Sequence, residues 1–139
     1  MKYLLDTNIC IALIRRSQKS ARLLERLISH QPGDVGISAI TLAELAHGVV
    51  KSVQKEQNRT ALQQFLLPLE VVDFDQQAAL VYGKIRVGLE LTGQLIGSMD
   101  MLIAAHALSL DAILVTNNVS EFQRIEGLTL EDWISESGL

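Results

Sequence analysis

The sequence predicts a three-layer α/β fold, with a short central, mostly parallel sheet and helices on both faces. Three observations carry that reading. Residues 2–5, apolar after Lys2, and 112–115 are short apolar runs, as central strands covered on both sides must be. Short strands alternate with amphipathic helical segments along the chain. Both apolar runs stop at polar residues, Asp6 in one case and Thr116-Asn117-Asn118 in the other, which places these residues on one edge of the sheet. In open α/β sheets ligands bind in the crevice outside the carboxyl ends of the strands.

The elements follow in order. The first strand, 2–5, runs into a short helix over 9–16. A second helix at 21–29 has Leu23, Leu24, Leu27 and Ile28 at helical spacing. Gln31-Pro32-Gly33-Asp34 is a turn before a short strand at 35–37. The pattern over 42–50 is helical, and a helix at 56–67 ends at Pro68. Residues 69–74 read as extended, and Asp75 is placed to cap a long helix reaching about Leu91. Thr92-Gly93-Gln94 breaks that helix, and Ser98 is placed to cap the next, over 99–110. A strand at 112–115 and a last one at 128–130 complete a single domain spanning 1–139, with no internal repeat or linker.

Composition narrows the function classes. With 139 residues, 48% hydrophobic and 2 prolines, the chain buries a core and is not a disordered one. Only 4% is aromatic, so that core is built mainly of Leu, Ile, Val and Ala. The single cysteine, Cys10, excludes an intrachain disulfide and a zinc-knuckle framework, and reads as a buried apolar position. No secretory signal and no membrane-spanning run stand out, so a soluble, cytoplasmic protein without membrane contact is expected. A net charge of −4 argues against non-specific nucleic-acid binding through bulk positive charge. Arg15, Arg16, Lys19 and Arg22, and separately Lys51, Lys55 and Arg59, form local basic clusters that otherwise read as solvated helix faces.

Three carboxylates stand out. Asp6 lies just past the first strand, where Thr7 and Asn8 already offer helix caps, so its structural excuse is the weakest. Glu44 closes a capping-box pattern, Thr41-Leu42-Ala43-Glu44, and that structural role competes with a functional one. Asp100 sits in the first turn of a helix, where the helix dipole favours any carboxylate. Taken together, three acids at three element starts on one edge repel one another unless a cation or a basic partner neutralises them. An oxygen-rich pocket of that kind suits Mg²⁺ or Mn²⁺ and points to phosphodiester chemistry. His30, His47 and His106 have no zinc-ligand spacing and read as helix-face residues. No Gly-rich phosphate loop and no nucleophile elbow are present.

Four blocks occur in one order: Leu5-Asp6-Thr7-Asn8; Ser38-Ala39-Ile40-Thr41-Leu42-Ala43-Glu44-Leu45; Ile96-Gly97-Ser98-Met99-Asp100-Met101-Leu102-Ile103-Ala104; and Leu114-Val115-Thr116-Asn117-Asn118 with Glu121-Phe122. Across nearly the whole chain they resemble PIN-domain ribonucleases, and more closely the VapC-type toxins of bacterial toxin–antitoxin pairs. The resemblance implies a PIN-like fold and a Mg²⁺- or Mn²⁺-dependent endoribonuclease with Asp6, Glu44 and Asp100 as its acidic core and metal ligands. In-line attack by water would leave a 5′-phosphate and a 3′-hydroxyl.

The family often carries a fourth acid after the last central strand; here Asn118 stands there, and Glu121 is the candidate to replace it. Thr7 and Thr116 are expected to support the site through hydrogen bonds. The resemblance further implies cleavage of a structured RNA such as a tRNA or rRNA loop, and hence inhibition of translation. It implies a homodimer and a VapB-type antitoxin partner through which alone DNA would be contacted. The alternatives are a non-catalytic interaction module of the same fold and a small-molecule phosphohydrolase using the same pocket.

Overall fold

A computed structural model describes residues 1–16 and 20–135. Lys19, expected in the first basic cluster, lies outside the described residues. The elements run β1 (Tyr3–Leu5), α1 (Thr7–Arg15), α2 (Ser20–Ile28), β2 (Val35–Ser38), α3 (Ala39–Lys51), α4 (Lys55–Leu66), β3 (Glu70–Val72), α5 (Gln76–Leu91), α6 (Ser98–Ser109), β4 (Ile113–Val115), α7 (Val119–Phe122) and β5 (Leu130–Glu131). The strands form one sheet in the order β3-β2-β1-β4-β5, and all four pairings are parallel.

Side chains alternate across a strand, and the sheet divides two cores in this way. Tyr3 and Leu5 of β1, Val35 and Ile37 of β2, and Val115 of β4 pack toward Ile9, Cys10, Leu23, Leu45 and Leu62 of α1 to α4. Leu4 and Leu114 point the other way, onto Leu89 of α5, Met101, Ile103, Ala104 and Ala107 of α6, and Phe122 of α7. Both faces of the central strands are therefore covered, which is why β1 and β4 are apolar at every position. Cys10 is fully buried in the first of these cores, and burial, reinforced by the charge of Asp6, pushes its thiol pKa up. It is a packing residue.

Gly36 is required by close approach. A Cβ there would stand 2.6 Å from the carbonyl oxygen of Glu70 on the neighbouring strand β3. The short helix α7 and three capping positions depart from the sequence expectation. α1 begins at Thr7, because Asp6 is itself the N-cap and accepts from Ile9 N at 2.9 Å. α3 begins at Ala39, because Ser38 is its cap and accepts from Ile40 N at 3.0 Å. Thr41 is thus already inside the helix, and Glu44 closes no capping box. α6 has Gly97 as its N-cap with no side-chain bond, so Ser98 is the first helical residue rather than the cap. Asp75 caps α5 as expected, accepting from Ala78 N at 3.0 Å.

Candidate active site

β1 is followed in the sheet by β2 and β3 on one side and by β4 and β5 on the other. The chain therefore changes direction between β1 and β4, and a crevice opens outside their carboxyl ends. Asp6 ends β1 and Thr116 ends β4. The Thr116 hydroxyl, fully buried, donates to Asp6 Oδ2 at 2.5 Å, while Asp6 Oδ1 caps α1. The backbone repeats the link: Asp6 N donates to Val115 O at 3.0 Å. Asp6 is only 3% exposed. Burial pushes its pKa up to about 6, helped by the charge of Asp100 and opposed by the bonds from Thr116 and Ile9 N.

Parallel strands send α1, α3 and α7 off from the same sheet edge, and the cavity there is lined by the start of α1, by Ala43, Glu44 and His47 further along α3, and by the first turn of α6. Glu44 reaches it from α3, where the Thr7 hydroxyl donates to Glu44 Oε1 at 2.6 Å and lies 3.3 Å from Thr41 Oγ1. Asp100 reaches it from the first turn of α6. Burial raises the Asp100 pKa, and the charges of Glu121 and Glu44 raise it further. Asp6, Glu44 and Asp100 line one cavity of about 420 Å³, together with Thr7, Asn8 and Met99. His47, expected on a helix face, lines it too.

The polar run after β4 divides its labour. Thr116 holds Asp6, and its Oγ1 also accepts from Asn118 N at 2.9 Å. Asn117 turns away and donates to Asp132 Oδ2 at 3.2 Å. The Asn118 amide donates to Glu121 Oε2 at 2.9 Å. Asn118 and Glu121 thus form one unit: the amide aims the carboxylate, and the carboxylate charge acts on Asp100.

Among the described residues, no three His, Cys, Asp or Glu side chains close on a common point as a ready-made ion cage. The three carboxylates expected as a joint ligand set share the cavity, but Glu44 is turned onto Thr7. The donor set still fits a hard cation. Mg²⁺ keeps several of its waters and takes one or two carboxylates, and a buried Asp6 with its pKa raised is stabilised as an anion by such a charge. Among the described residues no sulfur or imidazole cluster competes for a softer metal.

The molecule is thus a parallel α/β sheet with a cavity at its carboxyl edge, lined by Asp6, Glu44 and Asp100 from three separate elements. The sequence profile of the PIN domain matches residues 3–128. Ribonuclease VapC2 of Rickettsia felis is 47% identical over 134 residues, covering 96% of this chain and 98% of that protein. The tRNA(fMet)-specific endonuclease VapC of Shigella flexneri is 43% identical over 133 residues, covering 96% and 98%. The DNA-bound VapBC structure from Salmonella typhimurium superposes with a TM-score of 0.90 at 42% identity, over 96% of this chain and 98% of that one. The chain belongs to the PIN-domain family and, within it, to the VapC ribonucleases.

Proposed function

We propose that this chain, read as one unit over 1–139, is a Mg²⁺- or Mn²⁺-dependent endoribonuclease toxin that cuts a structured RNA, a tRNA or rRNA loop, and so inhibits translation. The observation that carries the reading is Asp6: a buried carboxylate, pinned across the β1–β4 boundary by Thr116, in one cavity with Glu44 and Asp100. Asp6 and Asp100, with Glu44 beside them, would hold the ion. When bound, it supplies a Lewis acid for the scissile phosphate and a more acidic water. The chain's own residues supply the positioning. Thr116 and Ile9 N fix both oxygens of Asp6, Thr7 fixes Glu44, and Asn118 holds Glu121 toward Asp100. Unpaired loops suit such a site because their backbone and bases are accessible.

The partners follow from the same surface. An apolar groove of about 510 Å³, lined by Leu13, Ile14, Leu24, Leu27 and Phe65, offers a seat for a helical segment of a VapB-type antitoxin. An Arg or Lys carried by that segment into the acidic cavity would replace the metal's charge, Arg bidentately. The acidic balance of this chain leaves DNA contact to the antitoxin. A stripe of exposed Leu80, Val87 and Leu91 on α5 suits burial against a second copy, giving a homodimer and a larger toxin–antitoxin assembly.

The test is cleavage of bulk bacterial tRNA by the purified chain. Cleavage should stop in EDTA and return on adding Mg²⁺ or Mn²⁺. Activity that survives chelation, or absence of any cut with either ion, overturns the proposal.

A further inference from the structure

We propose that His47 is a substrate-binding residue, donating a hydrogen bond to an RNA phosphate adjacent to the one that is cut. This rests on the ribonuclease reading above and deepens it. His47 follows Glu44 by three residues on α3, so both side chains emerge on the same helix face. It is exposed, and its ring makes no hydrogen bond or ion pair with another described residue.

The charge of the cavity makes this position consequential. Its described lining holds three carboxylates, from Asp6, Glu44 and Asp100, and otherwise neutral side chains; His47 is the one lining residue able to carry positive charge. A polyanionic strand entering there meets repulsion from every ionised group except His47. Imidazole donates one N–H when neutral and two when protonated, so His47 offers a phosphate a donor in either form. Met99 adds an apolar lip to the same cavity, 41% exposed.

The surface beside His47 also has room for a strand. A Cβ at Gly48 would meet nothing within 4 Å. A second depression of about 240 Å³ continues from the acidic one, sharing Ile11 and Glu44 and carrying Arg15, Gly48, Ser52 and Asn58. From the carboxylates this second depression, floored by Ile14, Leu45, Val49 and Leu62, leads to the Arg15 cation and two neutral polar side chains, on the side of Glu44 away from the acidic cavity that His47 lines.

The experiment compares His47→Ala, His47→Leu and His47→Lys. Binding of bulk bacterial tRNA is measured by competition anisotropy in an Asp100→Asn background, and cleavage kinetics are measured with Mn²⁺ in the otherwise unchanged chain. Loss of one charge-assisted hydrogen bond predicts binding weakened, and KM raised, about tenfold for Ala and Leu. The effect should fall on KM, with kcat nearly unchanged. Lys should restore binding and steepen the salt dependence of log K by about 0.7 relative to Ala, as one added phosphate contact does. Melting temperatures should not move, since the side chain is exposed. Wild-type-like binding by His47→Ala, or equal loss for Ala and Lys, overturns the inference while leaving a cleaving wild type, and hence the ribonuclease reading, intact. A wild type that cuts no RNA removes both.

Discussion

Asp6 has two structural duties beside its charge, capping α1 and accepting from Thr116, and both survive replacement by Asn through its amide oxygen and a rotated threonine hydroxyl. The charge itself works against the fold. Asp6 titrates near 6 in the folded chain against an ordinary 3.8. Between those values the folded state binds more protons, so this contribution is fully present below 3.8 and is lost as pH rises through 6. In EDTA at pH 8, Asp6→Asn should therefore be more stable than wild type by about 1–3 kcal/mol, with the gain gone at pH 4. Paired thermal melts decide it; a destabilised Asn variant at pH 8 contradicts the assignment. Thr116→Val should leave the protein folded but slow cleavage by about tenfold to a hundredfold, because Asp6 loses its aim. For the fourth acid, Glu121→Gln should lower activity more than Asn118→Ala, since Asn118 acts through Glu121; initial rates that rank the other way would make Asn118 the principal group. The sequence pointed to these residues through their positions after apolar strands. It could not reveal that Asn117 faces Asp132, because three consecutive polar residues at a strand end look alike until the backbone turns them.

At the scale of elements, the helix starts carry the site. Ser38 caps α3, and its Oγ lies 2.8 Å from Nδ1 of fully buried His106 on α6. Burial lowers the His106 pKa, and Nδ1 and the serine hydroxyl share one buried hydrogen bond. That bond joins the helix bearing Glu44 to the helix bearing Asp100. His106→Ala should cost about 2–4 kcal/mol by leaving a cavity and an unpaired hydroxyl, measured by urea denaturation. An unchanged midpoint would show that the joint carries no load. Gly36→Ala should destabilise by about 1–3 kcal/mol, because the added methyl meets the Glu70 carbonyl oxygen on β3 as well as the movable Met1 side chain, and the backbone cannot step aside. Strand and helix order was legible from alternating apolar patterns, down to Asp75 capping α5. Helix starts were less so: Thr41-x-x-Glu44 imitates a capping box, while the true cap, Ser38, sits at a strand end and is fixed by a histidine 68 residues away. The four-residue helix α7 is too short to show a period. His106 resembled a helix-face residue because the partner that buries it is remote in sequence.

At the scale of the whole molecule, the exposed α5 residues Leu80, Val87 and Leu91 line no part of the acidic cavity, so assembly through them and cleavage can be tested separately. Val87→Glu, in the exposed stripe of α5, should convert a dimer into a monomer by light scattering at micromolar concentration without reducing the intrinsic cut rate. A wild type that is already monomeric there contradicts the stripe as a contact. Coexpression with a cognate VapB-type antitoxin should yield a complex in which tRNA cleavage is silent; a bound antitoxin that leaves cleavage intact contradicts inhibition through the acidic cavity. The central claim is that Asp6 and Asp100 hold the metal that cuts RNA. Its most direct measurement is the single-turnover rate of tRNA cleavage in Mn²⁺ for wild type, Asp6→Asn and Asp100→Asn, each shown to be folded by circular dichroism. Wild type should cut, and neither folded variant should cut detectably. Cleavage at the wild-type rate by either one contradicts it.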